Sequence, residues 1–127
     1  MTDLNALAYT SEHEWVAVAN GIATIGITDY AAEQLGDIVY VDLPADNATL
    51  TSGQVMGELE STKSVSELFA PVDGEVIELN GQVDVDPALV NRDPFGDGWL
   101  VRVQLFGQPL AGLLDRAAYL RLTGGEE

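Results

Sequence analysis

Short runs in which apolar and polar residues alternate occupy most of the chain, the pattern of strands buried on one face. Trp15-Val16-Ala17-Val18 and Ile22-Ala23-Thr24-Ile25-Gly26-Ile27 flank Asn20-Gly21. Both positions of Asn-Gly tolerate positive φ, so the two runs are predicted to pair as a hairpin. Thr28 can cap a short helix near 28–35, with Asp29 in its first turn and Gly36 as the left-handed stop. Ile38 to Leu43 is almost continuously apolar before Pro44, as expected of a strand covered on both faces. Pro44-Ala45-Asp46-Asn47 then turns the chain, with Asn47 suited to the left-handed region.

Val55, Gly57 and Leu59 alternate with Met56, Glu58 and Glu60, predicting a half-buried strand that delivers the chain to Lys63. Val65 to Phe69 returns from it, and Gly74 to Leu79 follows the next turn. Asn80 to Gly98 is broken by Gly and Pro and reads as a long loop with at most one helical turn. Trp99, Val101, Val103 and Leu105 alternate with Leu100, Arg102 and Gln104, another half-buried strand. A C-terminal helix is predicted near 109–122, opened by Pro109 and closed by Gly124. Leu110, Leu113, Leu114, Ala117 and Leu120 then share its core-facing side. Residues 1–8 lack any such pattern and are expected to be loose. Many short strands with a covering helix indicate a mainly β sandwich or barrel.

At 127 residues, with no low-complexity linker, the chain is expected to be a single domain, 1–127. No run approaches the roughly 20 apolar residues needed to span a bilayer. The first residues lack the basic and apolar regions of a signal peptide, so a cytoplasmic location is expected. Twenty-one acids against five bases give a formal charge of -16, which opposes binding to nucleic acid or to an anionic membrane. With no cysteine the protein has no thiol or zinc-thiolate site of its own, so sulfur redox chemistry would have to come from an attached group.

Lys63 is the only lysine, and it lies in Ser61-Thr62-Lys63-Ser64 between two predicted strands. A lysine amine can be acylated, which removes its charge and turns a four-carbon stem into a longer tether. Taken by itself, a turn lysine is more often a solvated side chain without further duty. His13 is the only histidine and has no second histidine or cysteine with which to form a catalytic or metal site, so a hydrogen-bonding role is expected. Neither Gly96-Asp97-Gly98 nor the glycines from Gly21 to Gly26 continue into the Gly-Lys-Ser/Thr of a phosphate loop.

Glu60-Ser61-Thr62-Lys63-Ser64, followed by Ala70-Pro71-Val72-Asp73-Gly74-Glu75-Val76, resembles the lipoyl-lysine hairpin of the glycine cleavage system H-protein family. Ser11-Glu12-His13-Glu14-Trp15, Gly26-Ile27-Thr28-Asp29-Tyr30-Ala31 and Leu35-Gly36-Asp37-Ile38-Val39-Tyr40-Val41-Asp42-Leu43-Pro44 resemble further segments of that family, in its order. So do Pro87-Ala88-Leu89-Val90-Asn91, Asp93-Pro94-Phe95 and Gly98-Trp99-Leu100. The family's pattern usually has glycine where Asn47 stands.

The resemblance implies a barrel-sandwich hybrid of two small antiparallel sheets, with Lys63 at a hairpin tip bearing lipoate as an amide. It implies a monomeric shuttle without a catalytic site of its own. A glycine decarboxylase would load the arm with an aminomethyl group, an aminomethyltransferase would unload it, and a dihydrolipoamide dehydrogenase would reoxidise it. A separate lipoate-attaching enzyme would install the arm. Glu60 matches the acid that lipoylating enzymes read three residues before the lysine, and Glu14 and Glu67 match acids attributed to an arm-docking cleft. Glu12 stands where that pattern has a small hydroxyl residue. Two other carrier roles stay open: a relay donating lipoyl groups to other carriers, and a biotinyl domain. The latter usually has Met-Lys-Met at its attachment site, whereas Thr62 and Ser64 flank the lysine here.

Overall fold

The fold was described from a computed structural model, covering residues 4–107 and 113–124. Its strands are β1 (Ala8–Tyr9), β2 (Glu14–Ala19), β3 (Ile22–Ile27), β4 (Ile38–Asp42), β5 (Thr49–Leu50), β6 (Val55–Ser61), β7 (Val65–Phe69), β8 (Gly74–Leu79) and β9 (Val101–Leu105). The helices are α1 (Asp29–Leu35), α2 (Gly81–Val85), α3 (Leu89–Arg92) and α4 (Arg116–Thr123). The strands form two antiparallel sheets, one ordered β1-β2-β3-β9-β8-β5 and the other β4-β6-β7. Neither sheet closes on itself, so the mainly β, two-sheet architecture is an open sandwich. Val16, Ile25, Leu59, Leu68, Val76 and Val103 are fully or almost fully buried in one core to which both sheets contribute. Burying each such side chain stabilises the fold by about 1.5–3 kcal/mol.

The local signals act as the physics predicts in the first hairpin and helix. Asn20 and Gly21 both have positive φ and join β2 to β3 with Ala19 opposite Ile22. The Thr28 hydroxyl accepts from the Ala31 N–H at the start of α1, and the Gly36 N–H returns to the Ala32 carbonyl at its end. Asn47 occupies the left-handed region at φ 69°.

Elsewhere the tertiary structure overrides the pattern. β4 is not covered on both faces, because Val39 and Tyr40 are exposed and the register with β6 shifts between Ile38 and Tyr40. In β6 a second shift between Val55 and Gly57 places both Met56 and Leu59 in the core. An extra residue in one strand resets the two-residue period, which simple alternation cannot anticipate. A Cβ at Gly57 would collide with the Asp42 carbonyl of β4, so the close approach there requires glycine.

The predicted loop from Asn80 to Gly98 instead contains α2 and α3. The Asn80 side chain caps α2 by accepting from the Gln82 N–H, while its amide donates to the carbonyls of Asp97 and Trp99. Val83 and Val90 anchor the two short helices in the core. Tertiary burial makes helices of this length persist where isolated segments would not.

The chain ends also differ from expectation. Within the first eight residues, Leu4–Ala6 forms a 3-10 turn, Leu7 is buried, and β1 begins at Ala8. At the other end the helix begins at Arg116, with the Asp115 side chain capping the Ala118 N–H. Leu114 is held extended by paired hydrogen bonds with Tyr9, at 2.7 and 2.8 Å, which keeps it out of a helix. Pro109 and Leu110 lie outside the described residues. Ala117 is exposed, and α4 docks through Tyr119 instead of the predicted leucine stripe.

Tyr119 stacks on Tyr9 with ring centroids 4.8 Å apart, in a second core shared with Leu7 and Trp15. Its hydroxyl lies 2.7 Å from the Thr28 hydroxyl and 2.9 Å from His13 Nδ1. Burial pushes the Tyr119 phenol up to about 12, so the hydroxyl keeps its proton as a donor at neutral pH. Tyr119→Phe should therefore destabilise the fold by about 1–2 kcal/mol through loss of these buried bonds. Urea unfolding measures this, and an unchanged midpoint would contradict a docking role for the hydroxyl.

Candidate functional site

β6 and β7 carry Lys63 to the tip of a hairpin, and its side chain is exposed. The tip is closed by the Ser61 N–H donating to the Ser64 carbonyl at 2.8 Å. The Ser61 hydroxyl accepts from the N–H groups of Lys63 and Ser64, both at 3.1 Å. The Thr62 N–H donates to the Asp37 carbonyl at 3.0 Å, which ties the tip to the segment joining α1 and β4. The lysine stem runs over Gly36, whose position a Cβ would bring to 3.1 Å from Lys63 Cε. Lys63 thus has a rigid backbone and an accessible amine, which a covalent tether requires.

The outer face of the smaller sheet is acidic. Glu60 is half-buried in β6 between Tyr40 and Val65 on the neighbouring strands. In the adjacent outward row, Asp42, Glu58 and Glu67 stand opposite one another across β4, β6 and β7. Like charges directly opposite are mildly destabilising, so this row does not contribute to folding.

A surface cleft of about 260 Å³ lies where the β1–β2 turn meets the end of β7. Thr10, Ser11, Glu12, Glu14, Phe69 and Leu113 are among its lining residues. Glu14 is only 1% exposed, yet each carboxylate oxygen has a donor. Thr10 Oγ1 donates to Oε1 at 2.6 Å, and the Phe69 N–H donates to Oε2 at 3.1 Å. Burial raises the Glu14 carboxyl to about 7, the two hydrogen bonds pull against that rise, and the nearby Glu12 charge adds to it. His13, between the two acids, has a left-handed backbone at φ 72° and points its ring toward Tyr119. Burial lowers the His13 pKa and Glu12 partly opposes that shift.

The structure therefore places Glu14 in the cleft wall and Glu60 beside the lysine tip. Glu67 does not line the cleft. It is exposed on β7, on the same side of the strand as Phe69 two residues on. Glu12 does line the cleft, where a hydroxyl residue was the expectation. The sequence does not mark Thr10, Phe69 or Leu113 as cleft residues; Leu113 was expected on the core-facing side of the C-terminal helix and instead lies before it, lining the cleft. Thr10 carries a local signal, since a threonine followed by polar turn residues often bonds the backbone two and four positions on. Phe69 and Leu113 reach the cleft only through tertiary contact.

Known proteins resemble this chain in sequence and fold. The family model described as Glycine cleavage H-protein matches residues 7–123. This chain belongs to the glycine cleavage H-protein family. A glycine cleavage system H protein of Beutenbergia cavernae is 58% identical over 120 residues, covering 94% of each chain. One from Clavibacter sepedonicus is 55% identical over 124 residues, covering 98% of this chain and 99% of the relative. The crystal structure of a glycine cleavage system H protein from Mycobacterium marinum superposes with a TM-score of 0.89 at 40% identity. That match covers 94% of this chain and 98% of the other.

Among the described residues no group of three or more His, Cys, Asp or Glu is arranged to hold a metal ion. Among the same residues, no helix is long and apolar enough to cross a membrane.

The buried carboxyl gives a pH signature. Glu14 keeps its proton in the folded state up to about 7, whereas its ordinary value is 4.5. Its contribution is most favourable below the unfolded value and is lost as pH rises through the folded one. The stability of the native protein relative to Glu14→Gln should fall by about 3 kcal/mol as pH rises over that window. Paired urea titrations of the two proteins measure the difference, and a flat difference curve would contradict a protonated buried Glu14.

Proposed function

We propose that this chain is the lipoyl-bearing shuttle of glycine cleavage, with Lys63 as the amide anchor of the arm. The observation that carries this reading is the family's lysine standing exposed at a hairpin tip whose backbone is bonded on both sides. Gly36 leaves room beneath the stem, and Ser61, Thr62 and Ser64 leave room around it for an attaching enzyme. When attached, lipoate supplies a dithiolane whose sulfur carries the aminomethyl cargo from a glycine decarboxylase to an aminomethyltransferase. A dihydrolipoamide dehydrogenase restores the disulfide. The protein itself supplies a root, a surface for its partners and a shelter, as a cytoplasmic, monomeric, single-domain carrier of residues 1–127 without its own catalytic site.

Glu60 is proposed as the acid read by the lipoate-attaching enzyme, since it lies on the outer face one register row from the tip. The loaded arm ends in an ammonium, and Glu14 is proposed as its partner in the cleft. The carboxylate uses one acceptor position on each oxygen internally and retains others for an incoming donor. Glu67, on the side of β7 leading from the tip toward Phe69, is proposed to lie along the arm's course. Exclusion of water at the cleft would slow hydrolysis of the cargo. The net charge of -16 favours brief, steered encounters with basic patches on the partner enzymes.

Intact mass of the protein from its native cell should show a single lipoyl amide, absent from Lys63→Arg. The arginine variant should also support no glycine decarboxylation when combined with the partner enzymes. A biotinyl mass, or a Lys63→Arg protein that remains active, would overturn the assignment. A lipoylated protein that is inactive with those partners but donates its arm to other carriers would point to the relay role instead.

A further inference from the structure

Thr10 concentrates five hydrogen bonds at the cleft. Its N–H donates to the Glu14 carbonyl at 3.0 Å, and its carbonyl accepts from the His13 N–H at 3.1 Å. Its hydroxyl oxygen accepts from the N–H groups of Glu12 at 3.2 Å and Glu14 at 3.1 Å. The single hydroxyl proton goes to Glu14 Oε1 at 2.6 Å. With both acceptor positions of the hydroxyl occupied by backbone donors, its proton is directed at the carboxylate.

We propose that Thr10 is a positioning residue for arm docking: its hydroxyl aims the Glu14 carboxylate into the cleft and favours the anion that a cationic arm needs. This rests on the reading of Glu14 as the arm's partner. Burial by itself favours a neutral carboxyl, and a neutral carboxyl would offer an ammonium only a weak dipole. A donor to Oε1 opposes protonation, because it stabilises the charged form. A charge-assisted O–H···O bond of this length is among the stronger protein hydrogen bonds. The Phe69 N–H secures the other oxygen from the opposite sheet, so the two donors together set the carboxylate plane.

The surroundings leave Thr10 as the adjustable element. Among the described residues lining the cleft, the other titratable group is Glu12, whose charge works against ionisation of Glu14. The remaining walls bring Ser52 from the turn after β5, Phe69 to Pro71 from the end of β7, and Leu113, none of them charged. His13 turns its ring away toward Tyr119. Among the described residues no cation lines the wall, so the hydrogen bonds from Thr10 and Phe69 are what oppose protonation of Glu14 before the arm arrives. The cleft is thereby tuned to a charged visitor: a neutral, unloaded arm gives the carboxylate nothing in return, whereas the loaded one pairs with it.

The test compares Thr10→Val, which keeps the shape and removes the hydroxyl, with Thr10→Ser, which keeps the hydroxyl. Carboxyl-carbon NMR titration of protein bearing no arm reads the Glu14 midpoint directly. Loss of one hydrogen bond to a charged acceptor should move that midpoint up by about one pH unit in Thr10→Val, with Thr10→Ser close to native. On the loaded protein, the hydrolysis rate of the aminomethyl arm should rise roughly threefold in Thr10→Val near neutral pH and converge with native about two pH units higher, where Glu14 is ionised in both. A purely structural role in the turn would not produce that convergence. An unmoved midpoint in Thr10→Val, or a Thr10→Ser protein that behaves like it, overturns the proposal. Should the midpoint move while the arm's lifetime is unaffected in both Thr10→Val and Glu14→Gln, the docking reading of the cleft itself is overturned. Thr10→Ala provides the same comparison if the valine does not fold.

Discussion

Glu14 belongs to β2 of the larger sheet, and the Phe69 N–H that bonds its carboxylate belongs to β7 of the smaller one. That hydrogen bond crosses the seam between the sheets. A carboxyl buried to this degree is costly unless its oxygens are paired, so the two sheets meet in a register that keeps the pair intact. Because β7 also forms one side of the Lys63 hairpin, the same bond sets the cleft relative to the lysine. The exposed Lys63 tip and the cleft are thus joined through one strand.

The turn that presents Glu14 is held from behind by α4. Tyr119 reaches over to His13 and Thr28 at once, and Thr28 also caps α1. The helix α1 ends at Gly36, beneath the lysine stem, and the next residue, Asp37, supplies the carbonyl bonded to the hairpin tip. One phenol therefore ties the cleft loop and the segment under the tether to the same point. The left-handed backbone of His13 stores local strain, which persists only because its ring, carbonyl and N–H are all engaged. Strain of this kind is common where a turn must present functional side chains.

The outer sheet face has a different logic. Asp42, Glu58 and Glu67 face outward in one row, next to the row of Tyr40, Glu60 and Val65. The ion pairs formed among the described residues, Arg92 with Asp86 and Arg102 with Glu78, lie elsewhere. Folding gains nothing from such a row, whereas an encounter with a basic partner would gain speed and orientation from it. Val39, Tyr40 and Val65 are half or more exposed beside the lysine, which fits a surface touched transiently and left.

Local chemistry was enough to read the first hairpin, α1, the strands around Lys63 and the lysine itself. Asn20-Gly21, Thr28, Gly36 and the lone lysine act through properties that depend on their immediate neighbours: allowed φ, a capping oxygen, an accessible amine. The bulges in β4 and β6, the helices inside 80–98 and the late start of α4 were not legible there. Each is set by a distant partner: the Asp42 carbonyl against Gly57, the Asp97 and Trp99 carbonyls on Asn80, Tyr9 against Leu114. The family's acidic positions likewise pointed to Glu14, but not to its burial, its two donors or the hydroxyl of Thr10. By itself the sequence determined where a tether can be rooted, because attachment needs only one accessible amine in a tight turn. Only the tertiary structure decided that the Glu14 carboxylate lines a cleft, because that takes a group desolvated within one sheet and held by a donor from the other.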